Sequence, residues 1–369
     1  MDDVLILGGG VIGLSLAYEL AGRGAKVRVI DRGRAGGEAS WAGAGILPSA
    51  RYHADDPPPE QLAGLSAKLH ETWAEELREA TGIDTGLRRT GGLHIARREG
   101  ETAALRFAAG EWRAGDIAAE EISPNDIPQF EPAMRDASPA VGAAYFLPGE
   151  RQIRNPRHLK ALAAACAQRG VVIEEGVAAE DISAAGERVT GVLTSAGTFT
   201  AGDYCLCSGA WSRSLAQRMG VSLRLKPIRG QIALLSAAPG LLRHILHEES
   251  RYVVPRPDGR ILIGSTEEDV GFRKQTTSAG ISGLLDFALS LAPGLAQAAV
   301  ERCWAGLRPC TADGLPYLGV VPGLNNAYLA AGHFRSGLQL SPATAVVMAD
   351  LILGQPSSID LGAFALDRA

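Results

Sequence analysis

The segment VLILGGGVIGLSLAYEL at residues 4–20, followed by VRVID at 27–31, decides the fold of this chain. A short apolar run ends at three consecutive glycines, and an apolar pattern with helical spacing follows directly. A second short apolar run ends at Asp31. Strand, tight turn, helix and strand in this order predict a parallel βαβ unit.

The glycines of this unit follow the G-x-G-x-x-G pattern as GGGVIG at residues 8–13. Gly8 permits the tight turn, Gly10 lets the backbone approach a pyrophosphate, and Gly13 lets helix and strand pack closely. The helix N-terminus supplies amide donors and a positive dipole for the anion. Asp31 ends the next strand, where its carboxylate can accept hydrogen bonds from ribose hydroxyls. This context predicts a dinucleotide site rather than a glycine-rich turn without a ligand.

Length and composition indicate a folded protein of more than one domain. The chain has 369 residues, of which 46% are hydrophobic and 21% charged, and one compact core rarely organises this length. The formal charge of −5 arises from 36 basic and 41 acidic residues, which argues against a nucleic-acid or anionic-membrane surface. No basic and hydrophobic leader precedes the first strand, and no apolar run is long enough for a transmembrane helix. We therefore expect a cytoplasmic protein that starts near Met1.

Cysteine and histidine usage predicts neither disulfides nor a metal site. Cys205 and Cys207 would share one face of a strand, and the cysteines are expected to be reduced, buried thiols. The histidines show no metal-like grouping with carboxylates in the sequence. The five cysteines are Cys166, Cys205, Cys207, Cys303 and Cys310.

The order of elements along the chain predicts an α/β protein of two interleaved domains. Units of the βα type occur at both ends and in the middle, whereas strand-rich sequence fills residues 85–144 and 222–310. The first domain would comprise residues 1–84, 145–221 and 311–369. The second would comprise the two strand-rich segments.

Local signals predict the boundaries of several elements. Asn155 before Pro156 is expected to cap a helix. Residues 188–194 are expected to form a hairpin with residues 198–206, and residues 251–256 one with residues 260–264.

Ser341-Pro342 is expected to begin a last helix, or to lie in its first turn, where proline is tolerated, and this helix is expected to run to Gly354.

A single charged residue stands among glycines and prolines in GLRPC at residues 306–310. Burying Arg308 without a partner would cost several kcal/mol, so it either forms a salt bridge or holds an anion. Tyr252 by itself suits a packed strand aromatic, and Arg335 could pair with Asp313. These readings stay open on the residues alone.

Seven segments of the chain together resemble a known family. They are LILGGGVIGLSLAYEL with VIDRG, EASWAGAGIL, CSGAWS, RYVVPR, WAGLRPCTADGLPYLG and AGHFRSG. Their order and spacing resemble the D-amino-acid oxidase superfamily of FAD-dependent oxidoreductases, and most closely its glycine oxidases of thiamine biosynthesis. The resemblance runs from residue 4 to about residue 354. It implies a Rossmann-like FAD-binding domain interleaved with a substrate domain built on a mixed, largely antiparallel sheet.

The resemblance also implies the site residues. Substrate binding and catalysis fall on Tyr252, Arg308 and Arg335. The residues expected at FAD, including the fingerprint glycines, are Gly8, Gly10, Val11, Ile12, Gly13, Asp31, Arg32, Ala39, Ser40, Ala44, Gly45, Ile46, Val177, Gly209, His333, Phe334, Arg335, Ser336, Gly337, Leu338 and Gln339. Some relatives bind FAD through a cysteine near this C-terminal region. Cys310 is close to that place but not clearly at it, so noncovalent FAD is expected.

The implied reaction is oxidative deamination of glycine or another small amino acid, such as sarcosine or D-alanine. A hydride would pass from Cα to flavin N5, and the products would be the 2-oxo acid, ammonia and hydrogen peroxide. One alternative is a D-amino-acid dehydrogenase that passes electrons to a quinone or carrier. Others are an NAD-dependent Rossmann protein and a flavin-binding module without catalysis. The resemblance further implies a homo-oligomer.

Overall fold

The computed structural model describes residues 1–368, which contain nine α-helices and twenty strands. The helices are α1 Val11–Gly22, α2 Ala39–Ala42, α3 Pro58–Thr81, α4 Glu99–Ala114, α5 Ile127–Phe130, α6 Asn155–Gln168, α7 Ser212–Arg218, α8 Ser278–Leu291 and α9 Gly337–Ile352. The strands are β1 Asp2–Leu7, β2 Val27–Asp31, β3 Ile46–Leu47, β4 Arg88–Arg89, β5 Gly92–Ala96, β6 Glu120–Glu121, β7 Ala143–Leu147, β8 Arg151–Gln152, β9 Val172–Glu175, β10 Ala179–Ala185, β11 Arg188–Thr194, β12 Gly197–Phe199, β13 Ala201–Leu206, β14 Leu225–Ser236, β15 Ile245–Glu248, β16 Arg251–Pro255, β17 Arg260–Gly264, β18 Ala299–Thr311, β19 Tyr317–Val320 and β20 Ala327–Ala331.

The predicted βαβ unit forms the centre of a six-stranded sheet. The strand order is β19-β20-β13-β1-β2-β9, and every pair is parallel except β19 with β20. The last four residues of β1, Val4 to Leu7, are buried, because hydrophobic cores lie on both faces of the sheet. Helices α1, α6 and α9 contribute to one of these cores. The prediction of a parallel βαβ unit is therefore confirmed.

A second, eight-stranded sheet has the order β18-β14-β17-β16-β15-β5-β7-β6. Its neighbouring strands are antiparallel except for β5 with β15. Helix α8 packs over one face and buries Leu284, Phe287 and Leu291 there. A mixed, largely antiparallel sheet beside a mainly parallel one confirms the predicted fold class.

The domain boundaries stay a prediction. The strands of the six-stranded sheet all fall inside the ranges predicted for the first domain. One predicted boundary, between residues 144 and 145, falls inside β7, which belongs to the eight-stranded sheet.

Two local expectations from the sequence need correction. The first predicted hairpin forms between β11 and β12, but its return strand is shorter than expected, because β13 leaves to pair in parallel with β1. Asn155 is the first residue of α6 rather than its cap. Its side-chain amide instead donates to the carbonyl of Ser40 at 2.7 Å. The second predicted hairpin, β16 with β17, is confirmed.

Helix α9 also begins earlier than expected, at Gly337, with Pro342 inside it. A proline inside a helix has no amide hydrogen for the carbonyl four residues before it. That carbonyl, of Leu338, accepts instead from the ring of His70 at 3.1 Å and from the hydroxyl of Ser341 at 3.0 Å. Ser66 on α3 donates to the next carbonyl, of Gln339, at 2.6 Å. Contacts from α3 thus keep the helix intact up to its N-terminal turn.

Among the helices of residues 1–368, none combines the length and the apolar character that crossing a membrane requires.

Candidate active site

A cavity of about 970 Å³ lies where the carboxyl ends of β1 and β2 meet one face of the eight-stranded sheet. The carboxyl edge of a parallel sheet is where ligands bind in folds of this class. Of the site residues predicted from the sequence, all but Gly13 line this cavity. Gly13 lies behind the wall, where a Cβ atom would collide with the carbonyl oxygen of Gly8. Its place agrees with the packing role expected of the third fingerprint glycine.

The turn between β1 and α1 leaves room only for glycine at its first position. Gly8 has φ +119°, and a Cβ atom there would lie 2.5 Å from the carbonyl oxygen of Cys207. Gly10 precedes α1 and offers no side chain to cap it, so the first amides of the helix face the cavity. One of them, from Val11, donates to Oγ of Ser40 at 2.9 Å. The Ser40 hydroxyl keeps its own proton to donate to a ligand.

Asp31 is engaged in shaping the turn as well as lining the cavity. Its two carboxylate oxygens accept from the amides of Gly9 and Gly33, each at 2.8 Å. A carboxylate oxygen has two lone-pair positions, so each oxygen retains one for a further donor. Beside it, the guanidinium of Arg32 lies 3.6 Å from the ring centroid of Trp211. The backbone amide of Val177 donates to the carbonyl of Asp31 at 2.8 Å. The carbonyl oxygen of Val177 can still accept a hydrogen bond.

At the other end of the cavity, two glycines leave room for the side chains of Arg308 on β18 and Tyr252. A Cβ atom at Gly230 would collide with the Arg308 guanidinium, and one at Gly264 would lie 2.6 Å from the Tyr252 hydroxyl. The guanidinium donates to the hydroxyl of Ser265 at 2.7 Å and to the carbonyl of Thr266 at 3.2 Å. Both are neutral groups, and within residues 1–368 no carboxylate lies within 4.0 Å of it. Arg308 is therefore a partly buried cation that lines the cavity and has only neutral hydrogen-bond partners within residues 1–368.

Burial lowers the pKa of Arg308, and the nearby Tyr252 hydroxyl raises it in part. An arginine stays protonated at neutral pH despite such a shift. Tyr252 is 7% exposed, and its ring lines the same cavity. The two side chains thus present a positive charge and a phenolic hydroxyl at one place.

Arg335 lies at the entrance of this end and is more exposed. Its guanidinium donates to the carbonyl of Ser250 at 2.9 Å and lies 3.7 Å from a carboxylate oxygen of Glu267. The suggested pairing of Arg335 with Asp313 is wrong, because Asp313 forms its ion pair with Arg368.

The segment from His333 to Gln339 forms one wall and leads into α9. Burial lowers the pKa of His333 to about 3, so its ring is neutral at pH 7. The ring lies 3.1 Å from the hydroxyl of Thr344. Phe334 has φ +46°, which turns the chain into the first turn of α9 at the cavity.

The structure adds a cluster that sequence reasoning missed. Nε2 of His94 lies 3.1 Å from one oxygen of Glu150, and Nε2 of His247 lies 2.9 Å from the other. All three residues line the cavity. The expectation that no histidines group with carboxylates is therefore wrong here. No local pattern could reveal the cluster, because His94 and His247 meet through the long-range pairing of β5 with β15.

The two imidazoles favour the ionised form of Glu150. Burial alone would raise the pKa of Glu150, but the charge of His247 and hydrogen bonds from both imidazoles lower it to about 2. Burial lowers the pKa of His94, and the neighbouring His247 lowers it further. The two rings stack with centroids 4.1 Å apart and an angle of 9° between their planes. Each of the three residues offers one possible metal-ligand atom, and these atoms all lie within 4.8 Å of one another.

Arg256 was also missed, and it fixes a wall of the cavity. Its guanidinium, 7% exposed, donates to the carbonyls of Ala44 at 2.7 Å and Ile153 at 3.1 Å, and to the side chain of Gln152. Burial lowers the pKa of Arg256 to about 10, so it stays charged at pH 7. It therefore ties the eight-stranded sheet to the segment at Ala44.

Comparisons with known proteins agree with this geometry. The glycine oxidase of Geobacillus kaustophilus (strain HTA426) is 36% identical over 368 residues, which cover 99% of this chain and 97% of that protein. The glycine oxidase of Pseudomonas putida is 36% identical over 379 residues, with 98% of each chain covered. The crystal structure of the Geobacillus kaustophilus glycine oxidase superposes with a TM-score of 0.94 at 35% identity and covers 100% of this chain and 99% of its own.

The family described as FAD dependent oxidoreductases matches residues 3–351. This match covers nearly the whole chain, and the superfamily predicted from the sequence is thereby confirmed. The chain belongs to the D-amino-acid oxidase family of FAD-dependent oxidoreductases, and its cofactor is FAD.

Proposed function

We propose that this protein catalyses the oxidative deamination of glycine or another small amino acid, with dioxygen as the electron acceptor. A primary amino acid, dioxygen and water would yield the 2-oxo acid, ammonium and hydrogen peroxide, and sarcosine would release methylammonium in place of ammonium. The observation that carries the proposal is Arg308, a partly buried cation that lines the cavity and has only neutral partners. Such a group demands an anion, and the carboxylate of an amino acid supplies one.

The residues at the fingerprint end fit FAD. Gly8 lets the turn pass close to the backbone of Cys207, which any Cβ would prevent. The first turn of α1 then offers amides without a helical acceptor and a positive dipole for the pyrophosphate. The Ser40 hydroxyl would donate to the same group, and Asp31 would accept from a ribose hydroxyl. The cavity volume of about 970 Å³ is at the upper end of the range for cofactor and ligand sites.

Arg308 and Tyr252 would hold the substrate. The planar guanidinium can donate two parallel, charge-assisted hydrogen bonds to a carboxylate, and the phenol can add a third. With the carboxylate fixed, the α-carbon is the part of a small amino acid that faces the rest of the cavity. The main contribution of these residues would be orientation.

When bound, FAD supplies the two-electron acceptor for the hydride that leaves the α-carbon. The N-terminal turn of α9 would favour negative charge at its end of the cavity, because its amides and dipole point there. Arg335 at the entrance would add a second positive charge, and it would contact the substrate from the solvent side.

We propose that FAD is held noncovalently. Cys310 is not among the residues that line the cavity, and its thiol donates to the carbonyl of Thr311 instead. Denaturation of the purified protein should therefore release all of its flavin. Homo-oligomerisation, which the resemblance implies, and a cytoplasmic location, which the sequence composition implies, stay predictions. Light scattering of the purified protein tests the first.

The decisive experiment mixes the purified flavoprotein anaerobically with glycine, sarcosine and D-alanine and follows loss of the flavin absorbance. At least one of them should bleach the flavin, and admission of air should yield peroxide. Arg308→Lys and Arg308→Ala should bind FAD as before but weaken substrate binding about tenfold to a hundredfold, as expected for lost hydrogen bonds to a charged group. If Arg308→Ala is reduced as readily at low glycine as the parent, the assignment of Arg308 is wrong. Reduction without peroxide would instead indicate a dehydrogenase.

A further inference from the structure

The cavity continues beyond Tyr252 along one face of the eight-stranded sheet. Tyr252 on β16 lies directly opposite His247 on β15, and His247 lies beside His94 on β5. Residues in register on neighbouring strands project to the same face, and strands are about 4.8 Å apart. A row of three side chains thus runs outward from the place proposed for the substrate carboxylate, and all three line the cavity.

Glu150 fixes which imidazole nitrogens carry protons. Its side chain is 2% exposed, and its two oxygens face Nε2 of His94 and Nε2 of His247. An ionised carboxylate only accepts hydrogen bonds, so each Nε2 must carry the hydrogen. A neutral imidazole with its proton on Nε2 has an acceptor lone pair on Nδ1. Neither Nδ1 has a hydrogen-bond partner in residues 1–368, nor is either among the fully enclosed unpaired atoms.

The stacking of the two imidazole rings limits the positive charge that this cluster can carry. The two imidazole rings stack with centroids 4.1 Å apart, where two positive charges would repel each other. Beside one buried carboxylate, this geometry opposes a net positive charge on the cluster. The cluster therefore attracts hydrogen-bond donors and positive charge and gives a second carboxylate no counter-ion.

We propose that His94, Glu150 and His247 form a polar subsite for a substituent of the substrate, one that carries a positive charge or a hydrogen-bond donor. The inference rests on the proposed function, because that function places the amino-acid carboxylate at Arg308 and Tyr252. The substituent is attached either to the α-carbon or to the nitrogen and reaches along the sheet past His247. Trp112, whose ring packs edge-on against His94 at 5.0 Å and also lines the cavity, closes the subsite on its outer side.

Isosteric substrate pairs test this subsite directly. D-2,4-Diaminobutyrate and D-norvaline differ by an ammonium in place of a methyl group on the α-carbon substituent. N-(2-Aminoethyl)glycine and N-propylglycine differ in the same way on the nitrogen. For at least one pair, the cationic member should have the higher kcat/KM by about tenfold, as expected for a hydrogen bond to a charged group. Iminodiacetate, with a second carboxylate, should be a poorer substrate than N-propylglycine.

Two variants change the subsite in different ways. Glu150→Gln removes its negative charge while keeping its shape, and His94→Gln removes one imidazole. In both, the ratio of kcat/KM between the members of the preferred pair should fall toward one. Because the ratio is internal to each variant, a general loss of activity cancels. Glu60→Gln and His53→Gln, at exposed positions outside the cavity, are the matched controls and should keep the parent ratio.

A parent enzyme that favours the apolar member of both pairs would overturn the inference, as would a ratio unchanged in both subsite variants. The melting temperature of the holoenzyme, reduced beforehand with dithionite and kept anaerobic, gives a second measurement that does not depend on turnover. The cationic compound should raise it more than its apolar isostere in the parent, and this difference should vanish in either variant. If glycine and the other small amino acids fail to reduce the flavin, the proposed function falls. The melting temperatures still decide the subsite in that case.

Discussion

The guanidinium of Arg308 occupies the space that a side chain at Gly230 would need. Gly230 lies on β14 and Arg308 on the neighbouring β18, and a Cβ atom at residue 230 would collide with the guanidinium. A glycine in the middle of a twelve-residue strand weakens that strand. Its presence here is explained by the room that the arginine requires.

Gly230→Ala should therefore impair the proposed substrate binding without removing Arg308. The displaced guanidinium would lose one of its charge-assisted hydrogen bonds to the substrate, so kcat/KM for glycine should fall about tenfold or more. FAD content should stay at the parent value, because residue 230 is not part of the cavity wall. Steady-state kinetics and the flavin-to-protein absorbance ratio measure both.

Gly283→Ala is the matched control, since a Cβ atom at this position of α8 meets nothing within 4 Å. It should leave kcat/KM unchanged. Parent-like kinetics in Gly230→Ala would show that the guanidinium can move without consequence.

Ser40→Ala should weaken FAD binding. The Ser40 hydroxyl accepts from the amide of Val11 and, in the proposed complex, donates to the pyrophosphate. Losing a hydrogen bond to a charged group should raise the FAD dissociation constant about tenfold. Reconstitution of the deflavinated protein, followed by flavin fluorescence, gives that constant. Ser282→Ala on α8, whose hydroxyl donates to the carbonyl of Ala279, should bind FAD like the parent.

Arg256→Met should destabilise the protein and loosen its cofactor together. The substitution leaves the buried carbonyls of Ala44 and Ile153 without their donor, at a cost on the order of 3 kcal/mol. Since residue 44 lines the cavity, FAD should also dissociate more readily. Chemical denaturation and FAD titration measure the two effects. The control is Arg106→Met, at an exposed position of α4. A variant that lost stability but kept parent-like FAD affinity would show that Arg256 does not contribute to FAD binding.

His158→Leu should make the protein more resistant to acid. His158 on α6 is buried, neither ring nitrogen has a hydrogen-bond partner within residues 1–368, and burial lowers its pKa to about 3. The unfolded chain takes up this proton below its ordinary pKa of 6.5, whereas the folded chain does so only near 3. His158 therefore leaves the free energy of unfolding unchanged above pH 6.5, and this free energy falls as the pH drops from 6.5 toward 3.

Removing this histidine should reduce the loss of unfolding free energy between pH 7 and pH 5 by about 2 kcal/mol. Urea denaturation at both pH values measures the difference between parent and variant. His53→Leu replaces a histidine that is 46% exposed and should follow the parent. An identical pH dependence in His158→Leu would mean that the ring does not stay neutral in the folded protein. The buried rings of His70 and His333, with pKa values of about 4 and about 3, would account for the loss that remains.

Patterns confined to neighbouring residues predicted much of this protein. The glycine turn, its flanking strands and the helix after them lie within about thirty residues, and their periodicity depends on local backbone geometry. The hairpin of β16 and β17 is equally local, since Asp258-Gly259 supplies its turn, with Gly259 at φ +83°. The prediction for Asn155 failed, although the signal was local, because a partner from another segment, the carbonyl of Ser40, engages its side chain.

Other features required the tertiary structure, because they arise between segments far apart in the chain. Around Pro342 in α9, the carbonyls of Leu338 and Gln339 accept hydrogen bonds from His70 and Ser66, which lie some 270 residues earlier. Glu150 gathers His94 and His247 only once β5 and β15 pair. By itself the sequence determined the nucleotide-binding turn and the family, since both are encoded in short segments with fixed spacing. Sheet packing decided that Arg308 has only neutral hydrogen-bond partners within residues 1–368 and that Glu150, His94 and His247 line the same cavity, because burial and distance depend on the folded chain.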